Sequence, residues 1–168
     1  MTDYTAEEPG RALVAAMVAR MGLYLENAEQ CLDQLDDRQI WFRAQPRDNA
    51  VGNLILHTAG NLDQIVNRIE GRPDVRDRPA EFHTRDGLSK EELTRTLQRS
   101  IGECCRVMHN LPLERLSDSY RIQGKDTTIA YALIMAVSHF SLHLGQMQFI
   151  AKSLLQYGYH EAPSRAPK

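Results

Sequence analysis

His139 and His143 stand four residues apart, so on a helix both imidazoles leave the same face with Cβ atoms roughly 5 to 6 Å apart. Two rings placed that way can share one metal ion at about 2.1 Å from each nitrogen. The spacing alone is a weak signal, and its surroundings add to it. The line through the pair continues along Ala132, Ala136 and Gln146 beside a strongly apolar stripe, which turns both rings toward a core. His57 has the same setting elsewhere in the chain, among Leu54, Ile55 and Leu62, with Asn53 and Asn61 one turn away on either side. A buried imidazole needs a partner. Either each ring hydrogen-bonds to a nearby amide, or His57, His139 and His143 close together on one divalent cation. Three neutral nitrogens leave coordination positions open, which is the pattern of a catalytic rather than a structural site. Gln146, Asn53 and Asn61 are the candidate outer groups that would fix the ring tautomers or orient a bound water. Imidazole suits Zn, Ni, Cu or Fe about equally, so the ligands do not choose the metal.

These residues need helices to hold them. Apolar residues recur at helical spacing over residues 12–35, from Leu13 and Met17 to Cys31 and Leu35. After a break around Trp41 and Pro46, Asp48 or Asn49 is positioned to cap a second helix carrying His57, and Gly71 and Pro73 end it. Ser89 and Glu92 form the capping box of a third helix that Pro112 stops, with Leu88 placed to staple onto Leu93. The fourth runs over about residues 128–157 and carries His139 and His143. Four long helical patterns and no convincing run of paired strands predict an all-α four-helix bundle. A short extended piece is suggested only over residues 120–125. One domain over residues 1–157 with a Pro-containing, loose tail at 158–168 accounts for the whole chain.

Two connections exceed the usual helix-to-helix length, residues 72–87 and about 110–127, and either could rim a pocket. The first carries Glu81 and His83 beside Arg72, Arg76, Arg78 and Arg85. No carboxylate lies in the helical ligand stripes, so Glu81 is the candidate general base or further ligand, set against the plainer reading of a solvated loop residue. Arg side chains here could grip carboxylates through paired hydrogen bonds. His109 and His160 read as surface residues. At least one of Cys104 and Cys105 reads as a small core residue, and Trp41 and Phe42 read as plugs at the exit of the first helix, although one of them could line the pocket.

The formal net charge of −2 comes from well-mixed acidic and basic residues, which offers no basic face to nucleic acid. Nothing approaches a membrane span or a secretory leader. Three cysteines, an odd count without a regular framework, suggest reduced thiols and a cytoplasmic location.

The stretches Asn49-Ala-Val-Gly-Asn-Leu-Ile-Leu-His57-Thr-Ala-Gly-Asn61 and Ser138-His139-Phe-Ser-Leu-His143-Leu-Gly-Gln146, with Arg76-Asp-Arg-Pro-Ala-Glu81-Phe82, resemble the DinB/YfiT-like superfamily of metal-binding four-helix bundles, in its largely uncharacterised bacterial branch. The similarity covers nearly the whole chain. It implies a histidine triad at His57, His139 and His143, a divalent metal (nickel or zinc), and homodimers. Characterised relatives include metal-dependent transferases and isomerases that use low-molecular-weight thiols, so the implied partner is a small molecule, such as a thiol. The leading expectation is an enzyme in which the metal activates a thiol or water, as a thiol-dependent S-transferase or hydrolase does. The alternative is a non-catalytic metal or small-ligand binding module, such as a stress-response protein.

Overall fold

The computed structural model describes residues 9–122 and 124–160. Four long helices are present: α1 (Pro9–Asp33), α3 (Val51–Ile69), α5 (Lys90–Asn110) and α6 (Ile129–Leu155). Short helices α2 (Asp37–Ile40) and α4 (Arg78–His83) lie in the connections on either side of α3. The main contacts run α1 to α5, α5 to α3, α3 to α6 and α6 to α1, which closes a ring around one core. The fold is an all-α bundle, as the apolar periodicity predicts, and α3 and α6, which carry the three histidines of interest, are neighbours in it.

The long helices form because each has an apolar side to bury. On α3 the buried positions include Leu54, Ile55, Leu62, Ile65, Val66 and Ile69; they meet Leu93, Leu97 and Ile101 of α5 and Phe140, Leu144 and Met147 of α6 in one cluster. Phe140 is fully buried, with its ring edge-on to Tyr24 of α1 at 5.7 Å. Truncating such a ring to Ala typically costs about 3 to 5 kcal/mol. The ends are also encoded locally. Ser89 and Glu92 form the anticipated reciprocal cap of α5, and the Thr128 hydroxyl accepts from Tyr131 N at the start of α6.

Several local expectations are revised. The cap of α3 is Ala50 rather than Asp48 or Asn49, because Asp48 is engaged by the amide of Gln45 in the preceding turn and Asn53 Oδ1 reaches back to Ala50 N at 3.1 Å. Trp41 does plug the bundle: its ring lies over Gly52, where a Cβ would come within 2.8 Å, and its Nε1 donates to Leu88 O at 2.9 Å. Phe42 is no plug and remains half exposed. The first long connection is not structureless, since Asp77 caps α4 and Pro79 occupies its first turn, where a missing N–H costs nothing. The second contains a 3-10 turn at Leu113–Ser117 and an antiparallel hairpin, β1 (Ser119–Ile122) with β2 (Lys125–Thr128), Ser119 facing Thr128. Gly124 takes φ 80° in its turn, a conformation glycine tolerates without strain. Among the described residues no helix is long and apolar enough to cross a membrane. The tail from residue 161 lies outside the described residues.

Candidate metal centre

Packing of α3 against α6 brings His57, His139 and His143 together, with one ring nitrogen of each within 4.8 Å of the others. His139 Nε2 is the middle atom, 3.1 Å from His57 Nε2 and 3.0 Å from His143 Nε2. The rings stand steeply to one another, with ring centroids 4.3 to 4.9 Å apart. Two nitrogens each about 2.1 Å from a common ion can be at most about 4.2 Å apart, so the two separations from His139 suit a shared cation, and the His57 and His143 nitrogens, within 4.8 Å, need close by no more than about 0.6 Å.

The opposite edges of the rings say which nitrogens carry protons. His57 Nδ1 lies 2.8 Å from Glu81 Oε2, inside the protein. An ionised carboxylate only accepts, so His57 Nδ1 gives its proton to Glu81 although Arg76 Nη2 also lies 3.1 Å from it, and in the neutral ring His57 Nε2 bears the lone pair. His143 Nδ1 donates to Gln146 Oε1 at 2.8 Å, which likewise leaves a lone pair on its Nε2. His139 Nε2 sits between the two and has at most one proton to give. At least one close nitrogen pair therefore has no hydrogen between its members, an arrangement that a cation at their meeting point satisfies. This is the donor chemistry of a divalent metal site, and the three residues present fit one.

Burial reinforces it. His139 is pushed down to about 3, chiefly by burial and then by the neighbouring His143 and His57. His143 is lowered too, by burial first, against the opposing pull of the Gln146 hydrogen bond. Both rings are held neutral at physiological pH, the form that ligates metal.

Glu81 is the largest departure from expectation. Its residue is only 7% exposed, not a solvated loop side chain. The α4 turn lowers it onto α3 at Gly60, where a Cβ would come within 2.2 Å of Glu81 Oε1; only a glycine admits the carboxylate. Arg76 grips the same carboxylate through Nε to Oε1 at 2.7 Å and Nη2 to Oε2 at 2.9 Å. Arg76 Nη1 also donates to Gln64 Oε1 at 3.0 Å. Burial pushes the Glu81 carboxyl up, but the hydrogen bonds and charges of His57 and Arg76 outweigh it and hold it below the ordinary range. Glu81 thus lies on the Nδ1 side of His57, away from the meeting point, with both oxygens engaged. It orients the ring rather than standing free as a base.

The amides divide. Gln146 holds His143. Asn53 hydrogen-bonds to none of the three rings: its Nδ2 donates to Glu81 O at 2.8 Å and Thr84 O at 2.9 Å, while its Oδ1 also accepts from Arg43, so it clamps the connection that delivers Glu81. Asn61 lines the pocket beside His57 without bonding to a ring. Of the remaining histidines, His83 Nδ1 bonds to Pro79 O, and His109 and His160 are exposed. Burial raises the Cys104 thiol to about 12 and the Cys31 thiol to about 11, so neither is a ready nucleophile.

A pocket of about 520 Å³ opens onto His57 and His139, walled by Ile65, Ala132, Met135 and Tyr131, with Arg76, Arg78, Lys125, Asp126 and Thr127 at its polar side. A larger groove, about 1030 Å³, runs along α6 on the side of Gln146 between Phe42, Leu142 and Phe149. Sequence reasoning anticipated neither the Arg76–Glu81 pairing nor the part of Gly60. The Asp77-Arg78-Pro79 start of α4 was the one available signal that the connection is ordered.

No curated protein matches this sequence. The chain is similar in fold to a crystal structure described as that of the conserved protein of locus from Enterococcus faecalis, with a TM-score of 0.75 over 84% of this chain and 96% of that one, at 18% sequence identity. A family model described as "Protein of unknown function (DUF1572)" matches residues 8–162, and the chain belongs to that family.

Proposed function

We propose that this protein binds one divalent metal ion through His57, His139 and His143 and works as a metal-dependent enzyme on a small molecule, activating a thiol or a water in the manner of a thiol-dependent S-transferase or a hydrolase. The supporting observation is the convergence of three Nε2 atoms, two of them left as lone pairs by Glu81 and Gln146 on the far sides of their rings. The DinB/YfiT resemblance favours nickel or zinc, and three imidazoles accept either. When bound, such an ion lowers the pKa of a thiol or water beside it toward neutrality. The chain's own part is to hold the His139 and His143 rings neutral, to fix His57 through Glu81, and to offer a partly apolar pocket on the His57 and His139 side.

Elemental analysis of protein purified without a histidine tag tests the reading: about one equivalent of metal is expected, falling to none in His143→Ala while the far-ultraviolet circular dichroism stays helical. Stoichiometric metal in His143→Ala overturns the ligand set. A second reading, a non-catalytic metal or small-ligand binding module, is favoured by one observation: Glu81, the carboxylate at the cluster, has both oxygens engaged and is no free base. Turnover of low-molecular-weight thiols with electrophiles by the metal-loaded protein separates the two.

A further inference from the structure

The arginines of the connection before α5 are not equivalent. Arg72 bonds to Glu70 and Glu103, Arg76 to Glu81, and Arg85 to the main-chain carbonyl of Phe82. Among the described residues Arg78 meets no carboxylate or carbonyl; its guanidinium sits over the Phe82 ring at 5.4 Å, and that ring packs against His57 at 4.6 Å. Arg78 lines the 520 Å³ pocket, and so does Lys125 from the start of β2, which also has no acidic partner among the described residues. The pocket's other charges are matched: Arg76 by Glu81, and Asp126 by Arg121 at 3.7 Å. Two cations from separate connections, neither with a carboxylate partner among the described residues, therefore line one cavity together with the apolar Ile65, Tyr131 and Met135 and the rings of His57 and His139.

We propose that the ligand of this pocket is an organic carboxylate with an apolar body, its head group held between Arg78 and Lys125 and its body lying against Ile65, Tyr131 and Met135 toward the rings. The planar guanidinium fork matches a carboxylate, and Lys125 adds a point charge. The volume lies within the range of small-molecule sites. This deepens the metal-centre reading by naming the substrate class for it, and takes from it that the rings mark the reacting end.

The test is titration calorimetry with 3-phenylpropionate and its uncharged isostere 3-phenylpropionamide, on metal-free and metal-loaded protein, in wild type and in the double variant Arg78→Ala/Lys125→Ala. Both substituted residues are exposed, so the fold persists. The wild type should prefer the acid by about tenfold or more, the double variant should bind both compounds alike, and rising salt should erode the preference, as expected for cations open to solvent. Equal binding of the two compounds by the wild type, no measurable binding of the acid, or a preference kept by the double variant overturns the proposal. The metal-free arm keeps the two readings apart. A protein that takes up no metal yet prefers the acid sinks only the metal centre, whereas stoichiometric metal without the preference sinks only the carboxylate pocket.

Discussion

Two ion networks use the same residue types to different ends. On the surface, Glu70 and Glu103 share Arg72 and Arg106, with the arginine side chains 45% and 48% exposed. Beside the imidazole cluster, Arg76 and Glu81 form one pair whose side chains are 6% and 9% exposed, with His57 as the third member. The surface network has more contacts and pulls the Glu103 carboxyl down to about 2, first through Arg106 and then Arg72. Yet water and salt screen it, and exposed pairs contribute little to stability. The inner pair is fewer in contacts and harder to disturb, because removing either partner strands a charge out of water. Location, not the number of contacts, decides which network matters, and only the inner one bears on an imidazole.

The largest effect should come from breaking the inner pair. Glu81→Ala leaves Arg76 buried without its counter-charge and should cost about 3 to 5 kcal/mol in urea denaturation. It also frees His57 to turn, and metal affinity should fall about 10- to 100-fold in a competitive chelator titration. Unchanged stability and affinity would mean the pairing is incidental. Next is Gly60→Ala, where the added methyl meets Glu81 Oε1; a loss of about 1 to 3 kcal/mol is expected. In the double variant with Glu81→Ala the two losses should not add, because the clash disappears with the carboxylate. Strict additivity would show that Gly60 matters for another reason.

The acid response sharpens the comparison further. The folded protein holds His139 near 3, below its ordinary 6.5, so the unfolded chain takes up that proton first as the pH falls. The stability contributed by the neutral ring is therefore complete above about 6.5 and drains away as the pH drops toward 3. Melting temperatures of metal-free protein should fall between pH 7 and pH 5, before the carboxylates titrate, and should fall less in His139→Gln. An identical decline in both proteins would remove His139 as the cause. The smallest effect belongs to the surface: Glu103→Gln should move the melting temperature by less than about 4 °C, since an exposed pair is worth at most about 1 kcal/mol.

How far this was legible in the sequence depended on the range of the interaction. The long helices followed from apolar spacing, and the start of α5 from Ser89 and Glu92, because those signals lie within a few residues. The approach of His139 to His143 is one turn of one helix, and His57 joins them because its apolar neighbours bury the same side of α3. What stayed hidden were contacts across the connection before α5. Glu81 is 24 residues from His57, Asn53 reaches 28 residues to Glu81 O, and the fit at Gly60 exists only once α4 has docked. An acidic residue in a loop and a glycine in a helix look ordinary until tertiary packing sets them face to face.

Trp41, the single tryptophan of the chain, is pinned by its hydrogen bond to Leu88 at the entry to α5 and by its seat on Gly52, five residues ahead of His57. The molecule consequently carries a native optical reporter at the joint of α2, α3 and α5. Intrinsic emission should register loosening of that joint without any label, and so follow whether ligands or substitutions at the rings are felt where the helices begin.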